Sequence, residues 1–352
     1  VRSNKYENNS TGDFVMLAAQ IVAPNQTRII EADQPIVGPD DVLIRVAAAG
    51  ICGTDLHILH GEYEATYPLI PGHEFSGTVV AVGERITRFR VGDRVTADPN
   101  IPCNRCLACQ RNEPNQCENL AAIGVTRNGG FAQYVVAPEG NVFLIGAMSF
   151  AQAALIEPLA CVVWGLKRVN VQAGDSALVL GAGPMGCLLM QALRASGATT
   201  VVVTDTVAWR LDQAAALGAT ETVLADAQQE KRLRAIAPGG YHIVADATGI
   251  PKVLEQTFGY ARPRGKVWVF GVTPRTAQAT FLPYDVFRKD LTIIGSFAVN
   301  RTFQESIALI QSGAIKVEPL ISHRLPLNQF SEGMDFAEHD PKRMKVQFAV
   351  EP

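Results

Sequence analysis

The chain lacks any apolar run of the roughly 20 residues that would cross a bilayer, so no membrane is expected as a partner. It also lacks a basic block. Its 31 Lys and Arg stand against 34 Asp and Glu, for a net charge of −3, and nucleic acid is a poor partner for such a surface. No secretory signal opens it. Val1 to Asp13 are polar and rich in Asn and Ser, and residues 1–14 read as a disordered tail. Internal repeats and low-complexity tracts are absent. A disulfide framework is not expected either. The seven cysteines make an odd count, and four of them crowd into fifteen residues, which points to metal, reduced thiols and a cytoplasmic protein. What remains is a chain with 47% hydrophobic and 18% charged residues, ordinary for a globular protein. Its 352 residues exceed one ordinary core and suggest two domains.

From Val15 to about Asn141 the pattern is β. Short branched runs such as Asp41 to Ala47 and Gly77 to Gly83 alternate with turn residues. Ser149 to Val169 reads as a helix with Ser149 as its N-cap. Strands and helices then alternate: Ser176 to Leu180, Met185 to Ser196, Thr200 to Thr204, Ala208 to Leu217, with further strands near Thr222, His242 and Lys266. Fully apolar strands separated by helices indicate a parallel sheet covered on both faces. The class is therefore α/β. A nucleotide-binding unit, residues 162–297, is inserted into a mainly β unit made of 15–161 and 298–352, with a cysteine lobe at about 99–120.

Gly181-Ala-Gly183-Pro184-Met185-Gly186 follows a strand and opens a helix. The first glycine permits the sharp turn, the second lets the backbone approach a pyrophosphate, and the third lets helix and strand pack closely. The helix start offers free N–H groups to the phosphates. Asp205 ends the next strand, where a carboxylate accepts from a ribose diol and repels a 2′-phosphate, favouring NAD over NADP. Arg210 either lies along the adenine or forms a surface ion pair.

Cys103, Cys106, Cys109 and Cys117 follow the pattern C-x2-C-x2-C-x7-C. Four thiolates at this spacing close a tetrahedral zinc site with no open position, so its role is structural. An iron–sulfur cluster uses similar spacings, but a structural lobe needs no electron carrier. Cys52, in Gly50-Ile-Cys52-Gly-Thr54-Asp-Leu-His57, and His73, in Gly72-His73-Glu74, are candidate ligands of a second, open zinc site. Glu74 either ligates directly or sits behind the metal, and Glu157 is a candidate for the remaining position. Each residue alone has a bland reading as a small core or structural side chain; their combination does not.

On these motifs, with Val91-Gly-Asp-Arg-Val95 and Gly129-Gly-Phe-Ala132, the chain resembles the zinc-containing medium-chain dehydrogenases, and more narrowly their sorbitol/polyol and threonine dehydrogenase branch. The resemblance implies a GroES-like catalytic domain, a Rossmann domain, two zinc ions per chain, NAD, an alcohol or polyol substrate and a homo-oligomer, tetramer or dimer. It implies that Cys52 and His73 ligate the catalytic zinc. Glu74 resembles a residue that binds zinc in some members and stands behind it in others, and Glu157 resembles the one that replaces a cysteine ligand in the polyol branch. Thr54 resembles the hydroxyl that takes the substrate proton, and His57 its relay partner. Gly271, Val272, Ser296 and Phe297 are further candidates for contact with the cofactor. One feature departs from the branch. Sorbitol dehydrogenases carry an Arg-Tyr pair after a Gly-x-Phe segment, whereas Gly295-Ser-Phe297 is followed by Ala298-Val299-Asn300-Arg301. Sugar-alcohol phosphates, 2,3-diols and threonine are alternative substrates. A zinc-free quinone or enoyl reductase, or a non-enzymatic NAD(H)-binding protein, is the remote alternative.

Overall fold

The computed structural model describes residues 15–63 and 65–350. The disordered tail expected at 1–14 lies outside the described residues. Six strands, Ser176–Leu180, Thr200–Asp205, Glu221–Leu224, Tyr241–Asp246, Ala261–Val269 and Thr292–Gly295, form one parallel sheet. Glu221–Leu224 and Thr292–Gly295 are its edges. Ser176–Leu180, first in sequence, lies between Thr200–Asp205 and Tyr241–Asp246. Strand order thus reverses beside it, and the crevice beyond the strands' carboxyl ends is where a dinucleotide docks in such sheets. Alternate residues of each strand serve opposite faces. Ala177, Val179, Val201 and Val203 join one core, while Leu178, Leu180 and Val202 join another. A strand buried on both faces has no polar side, which is why these runs read as uninterrupted apolar sequence.

The other unit is a mostly antiparallel sheet in the order Ile321–Pro326, Lys345–Ala349, Asp41–Gly50, Glu74–Val82, Arg94–Ala97, Val142–Leu144, with Tyr134–Pro138 also on Asp41–Gly50. The final strand, Lys345–Ala349, pairs with Asp41–Gly50. The end of the chain therefore closes the sheet begun near its start.

The expected helix over Ser149 to Val169 is two helices, Phe150–Ala153 and Ile156–Val169. Ser149 does cap the first: its Oγ accepts the Gln152 N–H at 3.2 Å, and Gln152 returns a bond to the Ser149 N–H at 3.1 Å. This stretch comes nearest to an apolar run of bilayer length, though Glu157, Lys167 and Arg168 interrupt it. Residues 150–169 are long and apolar enough to span a bilayer, but 61% of that window is buried within the protein. Its apolarity is spent on the core, where Leu155, Ile156, Leu159 and Val162 are fully enclosed. A helix enclosed on most sides carries no polar face.

Candidate active site

Two strand ends and one helix start build the centre. Glu74 opens the strand Glu74–Val82 opposite Gly50, the last residue of Asp41–Gly50. Two residues beyond Gly50, Cys52 caps the helix Gly53–His60 with an extended backbone. One ligand atom each from Cys52, His73 and Glu74 lies within 4.8 Å of the other two. His73 and Glu74 are buried.

Asp55, not singled out from sequence, ties this group together. Its Oδ2 accepts the Cys52 N–H at 2.8 Å, and its Oδ1 accepts the Gly72 N–H at 3.3 Å and lies 3.7 Å from His73 Nδ1. Burial opposes a charge on His73, yet the Asp55 carboxylate and the Cys52 thiol together raise its imidazole well above the ordinary range. The pocket therefore favours positive charge at this point. Glu74 Oε2 is buried with no hydrogen-bond partner. An unpaired carboxylate oxygen is costly in low dielectric, and a cation shared with Cys52 and His73 would satisfy it. This donor set fits zinc.

Glu157 stands beside these three rather than among them. It projects from the helix Ile156–Val169, and the Cys161 thiol one turn on donates to its Oε1 at 3.5 Å. Burial, with Glu74 nearby, pushes its carboxyl up to about 7 against the pull of His73 and Lys345. Thr54 Oγ1 is 3.9 Å from Cys52 Sγ. His57, one turn further along the same helix, meets Glu62 Oε2 through Nδ1 at 2.7 Å. Thr54 and His57 are both half-buried.

The four lobe sulfurs also lie within 4.8 Å of one another. Backbone N–H groups point at them: Cys103 N–H donates to Cys117 Sγ at 3.2 Å, Cys106 N–H to Cys103 Sγ at 3.4 Å and Asn119 N–H to Cys117 Sγ at 3.3 Å. Donors from Arg105 and Cys106 bring the Cys103 thiol down to about 6, whereas desolvation and neighbouring sulfurs push Cys109 up to about 12. Four thiolates this close repel one another unless a cation sits among them. The lobe also reaches the other unit, since Asn115 Nδ2 donates to the Phe297 carbonyl at 2.8 Å.

At the glycine motif, Gly181 has φ +108°, a conformation L side chains rarely adopt, and a Cβ on Gly186 would sit 1.9 Å from the Gly181 carbonyl oxygen. Gly183 caps the helix Pro184–Ala195, and a Cβ there would meet nothing within 4 Å. Its backbone is open to a ligand, while Pro184 occupies the first helical turn, where its missing N–H costs nothing. Met185 packs against the core and Gly186 is buried. The Asp205 carboxylate accepts the Ala182 N–H at 2.8 Å and the Val207 N–H at 2.9 Å, which holds it at the mouth of the loop. Arg210 does not form the surface ion pair considered above. It is half-buried and donates to the Arg343 carbonyl at 3.0 Å. Gly271 packs so tightly that a Cβ would fall 2.1 Å from the Gly249 nitrogen. Val272 and Phe297 are exposed, whereas the Ser296 hydroxyl accepts the Trp268 indole N–H at 3.1 Å.

Sequence reasoning missed Asp55, Cys161, Asn115 and Lys345. Asp55 carried a signal, an acid three residues after a capping position. Cys161 carried one too, as the residue four beyond Glu157 on a helix. Lys345 carried none. It reaches Glu74 across 271 residues of sequence.

A parallel-sheet dinucleotide unit joined to a β unit with one open and one closed ligand cluster defines a zinc-binding dehydrogenase. Residues 38–147 match the alcohol dehydrogenase GroES-like domain, and residues 184–312 match the zinc-binding dehydrogenase domain. The chain is similar to D-altritol 5-dehydrogenase of Agrobacterium fabrum, with 38% identity over 96% of this chain and 100% of the relative. It is similar to D-arabinitol dehydrogenase 1 of Uromyces fabae, with 36% identity over 96% and 97%. Among solved structures, a Sinorhizobium meliloti 1021 protein assigned as a zinc-binding dehydrogenase and bound to NADP superposes with a TM-score of 0.91. Its identity is 34%, over 96% of this chain and all of that one. The chain belongs to the zinc-binding alcohol dehydrogenase family and is an oxidoreductase with a GroES-like and a Rossmann domain.

Proposed function

We propose that the chain reversibly oxidises a secondary hydroxyl of a polyol to a ketone, with NAD as hydride acceptor. The observation that carries this is the open cluster of Cys52, His73 and Glu74, whose ligand atoms lie within 4.8 Å of one another. Glu157 and Thr54 stand beside it. When bound, zinc supplies the positive charge that lets an alcohol give up its proton near neutral pH, and NAD supplies the hydride acceptor. Cys52 and His73 would hold the metal, with Glu74 or Glu157 beside them. Asp55 orients both Cys52 and His73. The Thr54 hydroxyl takes the proton from the substrate, and His57, aligned by Glu62, receives it from the Thr54 side and releases it to solvent. The Gly181 to Gly186 turn and Asp205 hold the dinucleotide, which sets the geometry of transfer.

The polyol class is supported by the relatives that act, by name, on D-altritol and D-arabinitol. At the site of the missing Arg-Tyr pair, Asn300 is buried and Arg301 is exposed with φ 53°. At these two positions a buried amide with no enclosed cation suits an uncharged polyol better than a phosphorylated one. Asp205 supports NAD over NADP, because a carboxylate repels a 2′-phosphate. NADP in the Sinorhizobium meliloti protein makes this preference the part to test first. A homo-oligomer is supported by the free outer edge of the parallel sheet. There Ile293 and, on the adjoining segment, Leu282, Tyr284 and Phe287 are exposed. The free state of every described cysteine supports a cytoplasmic setting.

The test is a panel of pentitols, hexitols, their phosphates, 2,3-diols and threonine, read by NADH absorbance. Turnover of altritol or arabinitol above all others is expected. Turnover only of phosphorylated alcohols or of threonine would refute the substrate class.

A further inference from the structure

Residues 296–302 start at the carboxyl end of the edge strand Thr292–Gly295, the side of the sheet on which a dinucleotide docks. They end against the helix that carries Glu157, where the Thr302 hydroxyl donates to the Ala160 carbonyl at 2.6 Å. Two further bonds pin them. The Trp268 indole donates to the Ser296 hydroxyl at 3.1 Å, and Asn115 Nδ2 donates to the Phe297 carbonyl at 2.8 Å. Between these points Ala298 and Arg301 have φ of 52° and 53°. Left-handed backbone is unfavourable for a residue with a Cβ, and it persists where the surroundings over-determine it. Of the three bonds, only that of Asn115 comes from the cysteine lobe. Asn115 is buried in the turn Pro114–Gln116, which the Cys117 N–H closes on the Pro114 carbonyl at 3.1 Å. Cys117 is itself one of the four clustered sulfurs. The helix Leu107–Gln110 of the lobe has no buried residue, so the sulfur cluster, rather than an apolar core, sets where the Asn115 amide stands.

We propose that Asn115 is a positioning residue that couples the closed metal cluster to the ligand crevice, by holding Phe297 and the strained turn after it in the conformation that receives NADH and the alcohol. This rests on the reading of the lobe as a closed zinc site and of the crevice as the cofactor site. Phe297 is 51% exposed, so its backbone bond, not its packing, keeps the ring in place. Without that bond Ala298 relaxes out of the left-handed region and Phe297 moves with it. Ligands must then restore the turn as they bind, and affinity falls. Loss of the lobe metal frees Cys117, shifts the Pro114–Gln116 turn and breaks the same bond.

The experiment compares the wild type with Asn115→Leu, Asn115→Ala, Cys109→Ser and the double variant Cys109→Ser/Asn115→Leu. It records zinc per chain, NADH affinity by fluorescence, and KM and kcat with the best alcohol. Asn115→Leu fills the same space without the donor, and Asn115→Ala serves if it does not fold. Either should keep about two zinc per chain. Either should bind NADH about three- to tenfold more weakly, the worth of one neutral hydrogen bond. The alcohol KM should rise as well, while kcat with both ligands saturating changes much less, because bound ligands press the turn back into place. Cys109→Ser should lose the lobe zinc and also weaken NADH binding. The double variant should bind NADH no more weakly than Cys109→Ser alone, because both changes remove one bond. Wild-type NADH affinity in the Asn115 variants overturns the proposal, and so do losses that multiply in the double variant. Lobe zinc lost from Asn115→Leu and Asn115→Ala alike would assign Asn115 to the lobe's own stability and overturn it too. A wild type that lacks the lobe zinc or does not bind NADH would instead sink the underlying reading.

Discussion

Asp55 and His73 face each other at 3.7 Å inside the protein, with Asp55 fully buried and anchored by the backbone N–H groups of Cys52 and Gly72. A carboxylate beside a metal-binding imidazole fixes the ring and raises its basicity. Asp55→Asn keeps the size and an acceptor but removes the charge. It should weaken retention of the open-site zinc by about 10–100-fold, measured by chelator competition, while the lobe zinc stays. Unchanged zinc affinity would show that Asp55 serves only the backbone.

Thr54→Val should keep both metals and NADH binding while lowering kcat by about 10²–10⁴-fold, the usual worth of a general acid–base step. Metal analysis, NADH fluorescence and steady-state kinetics on one preparation check this. A variant with near-wild-type kcat would remove Thr54 from the proton path.

Asp205 accepts two backbone N–H bonds at the mouth of the glycine turn, so it both shapes the loop and repels a 2′-phosphate. NAD should exceed NADP in kcat/KM, and Asp205→Ser should narrow that gap mainly by lowering the value with NAD. Comparable kcat/KM with both cofactors in the wild type would contradict the assignment.

Cys109→Ser opens the four-sulfur cluster. The melting temperature should fall and about one zinc per chain should be lost, with the open-site zinc retained in the folded fraction. Because Asn115 of this lobe bonds the Phe297 carbonyl, NADH affinity should weaken as well. Wild-type melting and full zinc content would refute a structural lobe.

Phe287 is 80% exposed on the helix Pro283–Lys289 beside the free edge strand Thr292–Gly295. If that edge joins two copies, Phe287→Glu should shift the chain toward monomer in light scattering without altering either zinc. An unchanged mass would place the interface elsewhere, or rule out an oligomer.

What could be read in the sequence was local. Gly181 to Gly186 and the four lobe cysteines each compress one mechanism into a short window, and their spacing mirrors a turn or a tetrahedron directly. The strands Ser176–Leu180 and Thr200–Asp205 were legible because burial on both faces leaves a continuous apolar run. The break at Ala154 and Leu155 did leave a signal that was passed over: Pro158, in the first turn of the second helix, has no N–H to offer the Ala154 carbonyl. The partner of Arg210, a carbonyl 133 residues away, was not legible. Lys345 looks in sequence like any lysine near a chain end. Only the pairing of Lys345–Ala349 with Asp41–Gly50 carries it to the metal centre.

The central claim is that Cys52 and His73, with Glu74 or Glu157 beside them, hold a metal on which alcohol oxidation depends. The most direct test is a chelator titration that records zinc per chain and NADH production from the best polyol on the same samples. Activity should vanish as zinc falls from about two to about one per chain and should return when zinc is restored, with NADH binding preserved throughout. Full activity with only the lobe zinc remaining would contradict the account.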